Sequence, residues 1–223
     1  VSRDGSGNLS MWIDGVRTST TTGFTSAFGA SSGTFYINSY NGSGGFVNGS
    51  LSNLRIVNGT AVYTGNFIVP TATLTAITNT VLLTCQSSTF VDNSLNALTI
   101  TAASTTVKPL AQSPFTPSAY TSTAITTYGS GYFNGTTDYV QVPYSSNYGT
   151  LTADFTIEVW FYPTVSNMPG GAIVTSRNFS TNQYVPYYVV LVNSTLTIYM
   201  SSDAASWNVI NGGNAGTAII NAW

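Results

Sequence analysis

The chain has 223 residues, of which 43% are hydrophobic, 13% aromatic and only 5% charged, with a net charge of −2 and no histidine. A length near about 200–250 residues suits one all-β core, the aromatic content excludes a disordered tail, and no apolar run is long enough to span a bilayer as a helix. The Lys and Arg residues (Arg3, Arg17, Arg55, Lys108 and Arg177) form no cluster that could track phosphates, and the missing histidine excludes Ser-His-Asp and Cys-His catalysis and His-bound zinc.

No segment reads as a helix; short alternating runs are separated by Gly, Asn and Ser clusters, as in a sandwich or barrel. The first run, "LSMWI", meets Asp14-Gly15, a strong hairpin signal. "TFYIN" follows, and then "GGFVNGSLSNLRIV", where Leu51, Leu54 and Ile56 predict a buried strand with an irregular start. "NGTAVYTGNFIVP" reads as a turn and a short extended piece ending at Pro70. "TVLLTC" is a compact apolar strand; its Cys85, the one cysteine, excludes an internal disulfide and is expected to be a small buried side chain on the face of Val81 and Leu83.

Residues 86–130 are rich in Ser, Thr and Pro, with a weak strand at "ALTITA", and are expected to be an extended, loop-rich segment ordered by docking. "GYFNG" and "DYVQVP" are expected to pair across the turn Asn134–Thr137. "DFTIEVWFYP" is the best strand: Phe155, Ile157, Val159 and Phe161 point one way, Thr156, Glu158, Trp160 and Tyr162 the other. "GAIVTSR" comes next. "YVPYYVVLV" and "TLTIYMS" are joined by a tight Asn193-Ser194 turn, and "WNVI" and "GTAIINAW" predict two more short strands.

The combination of "VSRDGSGNLSMWIDGVR", "LSNLRIVNGTAVYTGNF", "GYFNGTTDYVQVP" and "DFTIEVW" resembles the laminin-G-like, concanavalin A-like lectin/glucanase modules found in tandem in large phage virion proteins and bacterial surface proteins. The resemblance implies an all-β, two-sheet antiparallel jelly-roll sandwich, used for adhesion, glycan binding or structural display. It also implies an order. Residues 1–78 resemble the later strands of one sandwich and residues 79–223 the opening strands of the next, and joining Trp223 to Val1 nearly restores the family order. A chain opening on Val, without a Met-led leader, is accordingly expected to be a processed product or one window of a tandem array. The alternative is that the two pieces close on each other as a permuted monomer.

Relatives in this superfamily include glycosidases with a Glu-x-Asp-x-x-Glu strand, which is absent here. The acids are Glu158 and Asp4, Asp14, Asp92, Asp138, Asp154 and Asp203. Asp154 and Glu158 lie ~13 Å apart on a strand, against about 5 Å for retaining and about 6.5–9.5 Å for inverting carboxylate pairs, so a non-enzyme is expected. A lone carboxylate on a half-buried strand needs a partner, and Glu158 is expected to pair with Arg3, Arg55 or Arg177. No cofactor is expected. The only calcium candidates are Asn134 and Asp138, and Asp138 reads better as a turn-closing acceptor. Tyr40, Tyr144, Tyr148 and Trp207 are the candidate stacking residues for a glycan, each weighed against simple packing. Seven Asn-x-Ser/Thr triplets, among them those at Asn41, Asn48 and Asn178, accompany a composition rich in those residues.

Little charge and a single Lys leave sheet edges without their usual protection. The expected function is a structural or adhesive repeat of an extracellular, cell-surface or virion fibre, polymerising head to tail with identical subunits or adjacent repeats. Strand addition would complete each sandwich, with no nucleic-acid or membrane partner. A glycan-binding lectin-like module is the alternative.

Overall fold

The computed structural model describes residues 1–28, 33–87, 89–110, 112–115, 128–166, 169–175 and 184–223. In chain order the strands are β1 (Ser2–Arg3), β2 (Leu9–Ile13), β3 (Val16–Thr21), β4 (Phe35–Ile37), β5 (Asn48–Asn58), β6 (Thr80–Thr84), β7 (Thr101–Ala102) and β8 (Lys108–Leu110). They continue with β9 (Ser130–Asn134), β10 (Val140–Val142), β11 (Phe155–Pro163), β12 (Pro169–Thr175), β13 (Tyr188–Val192), β14 (Thr195–Met200) and β15 (Ile210–Thr217). Among the described residues there is one helical turn, Ser146–Gly149, capped by the Ser145 side chain.

Two antiparallel sheets make a sandwich. Sheet A runs β3-β2-β1-β11-β5-β9-β8, with β6 also on β5; sheet B runs β15-β14-β13-β12-β4-β10-β7. Between them lies one apolar layer that includes Phe35, Ile37, Leu51, Leu54, Ile56, Phe133, Val140, Phe155, Ile173, Leu191 and Ile198, all buried. The alternation in the sequence dictates this. On β11 it is Phe155 and Ile157 that enter the core, with Val159 and Phe161 packed against it, while Glu158 faces outward onto Arg55 and Tyr63.

The expected division at residue 78 is not a division of the sheets. Sheet A draws β1, β2, β3 and β5 from before it and β6, β8, β9 and β11 from after it. Central β11 has β1 on one side and β5 on the other. Within this chain, strands from both segments lie in the same two sheets.

Local chemistry explains several details. Asp14 and Gly15 take φ of 51° and 76°, the left-handed pair a two-residue hairpin needs. A Cβ on Gly15 would lie 2.1 Å from the Phe67 carbonyl oxygen, so the hairpin tip seats there only as glycine. The irregularity expected at the start of β5 instead lies midway along it, a bulge at Asn53, φ 51°, beside the register shift against Glu158/Trp160. The buried Asn53 Oδ1 accepts from the Leu74 amide at 2.9 Å and the Gln86 side chain at 2.8 Å. Beyond the bulge, the far edge of β5 is shared: β9 pairs Asn48–Leu51 and β6 pairs Leu54–Val57.

Two expectations about pairing fail. The "GYFNG" and "DYVQVP" strands, β9 and β10, do not form a hairpin; β9 lies in sheet A on β5 and β8, and β10 in sheet B on β4 and β7. Both strands supply core residues, Phe133 against Val140 and Val142, so their link arches across the sandwich edge. The C-terminal region holds one strand, β15, instead of two. It occupies the glycine-rich "INGGNAGT" between the two apolar runs, with register shifts against β14 and φ of 74° at Gly212 and 129° at Gly216.

Candidate functional site

Glu158 lies on the outer face of sheet A, opposite Arg55 on β5. Its Oε1 accepts from Arg55 Nε at 2.5 Å and pairs with a terminal guanidinium nitrogen, while Oε2 accepts from the Tyr63 hydroxyl at 2.8 Å. Arg55 also donates to the Thr75 carbonyl at 2.9 Å. The two charged side chains are 6% and 11% exposed, so each supplies the partner the other needs at low dielectric. Burial, and next the Glu158 charge, push the Tyr63 hydroxyl pKa up. Both carboxylate oxygens are thus committed to a lock that straps residues 59–79 across sheet A.

Of the three arginines proposed for Glu158, Arg55 is the partner. Arg3 instead donates to the Ser26 carbonyl at 2.7 Å and to that of Ala153, with its guanidinium over the Phe28 and Phe155 rings at 5.3 and 5.8 Å. Arg177, like Asn178, lies outside the described residues.

Asn134 and Asp138 form a closed turn. Asn134 Oδ1 accepts from the amides of Thr136, Thr137 and Asp138 at 2.9–3.2 Å. Asp138 is fully buried; its Oδ2 accepts from the Asn134 amide at 3.1 Å and its Oδ1 from the hydroxyls of Ser104 and Thr106. These oxygens are spent on the arch, and among the described residues no group of three or more His, Cys, Asp or Glu gathers as a metal cage would require.

The four candidate aromatics do not converge. Tyr148 is 0% exposed and packs on Phe35 at 5.2 Å in the core, which removes it as a stacking platform. Tyr144 is 41% exposed, in the loop before the helical turn. Tyr40 and Trp207 both pack on a cluster centred on Ala172, Val185, Tyr188 and Val190 on the outer face of sheet B. There Tyr188 and Tyr199 stack across β13 and β14 at 5.6 Å, and Trp207 lies 6.4 Å from the first and 5.4 Å from the second. Gly170, Val190 and Val192 complete a shallow groove of about 330 Å³. The cross-strand pair was legible as alternation in "YYVVLV" and "TLTIYM", yet sequence reading concentrated on aromatics in loops.

A second cavity, about 210 Å³, opens between β2 and β11. Its side walls are Trp12, Ile13, Val159, Trp160 and Phe161, and its floor includes Ile173, Val189, Leu196 and Ile198 of sheet B. It lies just beyond Val1, the first residue of the sequence, and Ala218, Ile219, Ala222 and Trp223 near its last residue also line it. Pairing of β1 with β11 runs from Arg3↔Phe155 through Ser2↔Thr156 to the Ile157 amide, which donates to the Val1 carbonyl at 2.8 Å. Past that bond, no strand pairs with Val159 or Phe161 on this side among the described residues.

Residues 134–223 match the family model described as the concanavalin A-like lectin/glucanases superfamily. The matched stretch contains β10 to β15, and the antiparallel two-sheet sandwich agrees with that assignment. No curated protein and no solved structure matches the chain significantly. Among the described residues, no helix is long and apolar enough to cross a membrane.

Proposed function

We propose that this chain is a non-enzymatic structural and adhesive module of an extracellular or virion fibre, joined head to tail to like units by completion of the β-sandwich. The observation that carries this reading is the scarcity of charge on the sheet edges: the edge strand β3 bears Arg17 alone and the edge strand β15 bears no charged residue. Unpaired strand edges bind strands, because main-chain hydrogen bonds supply affinity and alternate side chains supply selectivity. A contact of this kind between different faces of identical units propagates as a filament when it does not close. The extracellular setting is typical of laminin-G-like domains. The non-enzymatic reading is supported by the Glu158 carboxylate, held on both oxygens by Arg55 and Tyr63.

Sedimentation and electron microscopy over a wide concentration range test it. Linear, concentration-dependent oligomers are expected, and a chain that stays monomeric throughout would sink it.

A second reading, a glycan-binding module, rests on the aromatic groove of sheet B. Tyr199 and Trp207, half-buried and tilted 50° to each other over the buried Tyr188, offer aromatic faces with hydroxyl and indole edges, the combination that sugar rings stack on. Saturable binding on a glycan array, lost in Trp207→Ala with unchanged thermal melting, is the outcome this reading requires.

A further inference from the structure

We infer that the Asn211–Gly212 step on β15 is a self-modifying site. In the folded chain it loses ammonia and becomes aspartate or isoaspartate, while every other Asn-Gly step is held back by its own hydrogen bonds. The reaction depends on neither functional reading above and takes water as its only co-reactant.

The chemistry is that of ring closure. The glycine nitrogen attacks the Asn Cγ, and the new N–C bond closes a succinimide. The Nδ2 group leaves as ammonia, taking the proton that the glycine amide gave up. Water then opens the ring. Breaking the new N–Cγ bond leaves aspartate; breaking the original peptide bond leaves isoaspartate, with the main chain rerouted through the side-chain carbon. Glycine favours the closure because it has no Cβ to stand in the way and tolerates the backbone angles required. Two conditions remain: the carboxamide must be free to turn, and the glycine nitrogen must not be held elsewhere.

The sequence has five Asn-Gly steps, at Asn41, Asn48, Asn58, Asn134 and Asn211, all within the described residues. Four fail a condition. Asn41 Oδ1 accepts from the Ser43 amide at 3.0 Å and hydroxyl at 2.8 Å, and the Gly42 amide donates to the Ser39 hydroxyl oxygen at 2.9 Å. Asn48, on interior strand β5, donates to the Asn134 carbonyl at 3.0 Å and accepts from the Thr164 hydroxyl. Asn58 donates to the carbonyls of Asn147 at 2.8 Å and Thr150 at 3.3 Å, and the Gly59 amide donates to the Asp154 carbonyl at 2.6 Å. Asn134 accepts from the amides of its own turn and donates to the Thr137 hydroxyl at 3.0 Å.

Asn211 is exposed, and among the described residues its carboxamide has no hydrogen-bond partner. Tyr199 pairs with Asn211 and Ile198 with Gly213, so Gly212, φ 74°, is the extra residue of a bulge, where a ladder is locally interrupted. The product changes the surface it sits on. Strand β15 bears no charged residue, and directly opposed residues share a face. The new carboxylate therefore arrives beside Tyr199, at the margin of the groove that Tyr199 and Trp207 line. Age, not a ligand, sets the charge of this face.

Mass spectrometry of the Asn-Gly peptides, from native chain held for weeks at mildly alkaline pH, tests this. Replacement of the amide nitrogen by oxygen should run about tenfold or more faster at position 211 than at the other four, which must first open locally. In denaturant the five rates should converge. Equal rates in the native chain, a lead at another step, or an intact position 211 where the denatured chain converts overturns the site. Isoelectric focusing gives a second readout. The ageing native chain should develop a more acidic band that Asn211→Gln, whose longer side chain closes a ring slowly, does not form; the same band in that variant overturns the assignment.

Discussion

The two flanks of β11 are opposite cases within one strand. Toward β5 the ladder runs from Phe155↔Asn58 to Pro163↔Gly49, absorbs a bulge at Asn53, and is sealed on its outer face by the Arg55–Glu158–Tyr63 lock. Toward β1 the ladder stops at Ile157 and a cavity takes over. The same alternating sequence serves both flanks. The difference lies in what stands opposite, an eleven-residue partner or a two-residue one.

The largest effect should come from breaking the lock on the finished flank. Arg55→Met leaves Glu158 buried and uncompensated, at a cost of about 3–5 kcal/mol in denaturant unfolding. Pairing it with Glu158→Leu should recover a large part of that loss, because both charges then leave together. A smaller contrast compares two inward residues of β11. Ile157→Ala should cost about 2–4 kcal/mol because Ile157 is buried in the core. Val159→Ala should cost under about 1 kcal/mol, because its side chain already borders open space. Similar costs for the two would mean that the cavity is closed in solution. Amide exchange sharpens the comparison without mutation: Glu158 and Trp160, directed at β5, should exchange more slowly than Val159 and Phe161.

The smallest effect concerns Cys85, just past β6 on the finished side. Burial pushes its thiol from the ordinary 9.0 up to about 12. A raised thiol pKa means that the folded state holds its proton where the unfolded state releases it. The contribution is therefore fully present below pH 9 and is lost as pH rises from 9 toward 12. A thiol reagent at mildly alkaline pH should react with the unfolded chain and spare the native one.

Most of the strands were legible because their burial is local and periodic. The "DFTIEVWFYP" alternation gave β11 with its two faces, and Asp14-Gly15 and Asn193-Ser194 gave the two tight hairpins. What escaped was set at long range. The β9–β10 link reads as a hairpin turn, since turn chemistry at Asn134–Asp138 is the same whether the chain folds back in one sheet or crosses to the other. Only the neighbours, β5 and β4, distinguish them. Asp92, which holds the Leu83, Ser94 and Leu98 amides at 2.9–3.0 Å, orders part of a segment whose sequence has no period to announce it. The Glu158 partner was narrowed to three arginines by electrostatics alone, and selecting among them required the β5–β11 register.

The placement of β11 between β1 and β5 also governs the order of events during synthesis. Roughly a hundred residues separate the end of β5 from the start of β11, so at about 5–20 residues per second β5 waits several seconds for its central neighbour. Through that interval a long edge, nearly free of charge, stands open on the nascent chain, with only β6 and β9 arriving in time to cover its other side. The sandwich is thus keyed by its last third: chains stalled before β11 are the ones most exposed to pairing with each other.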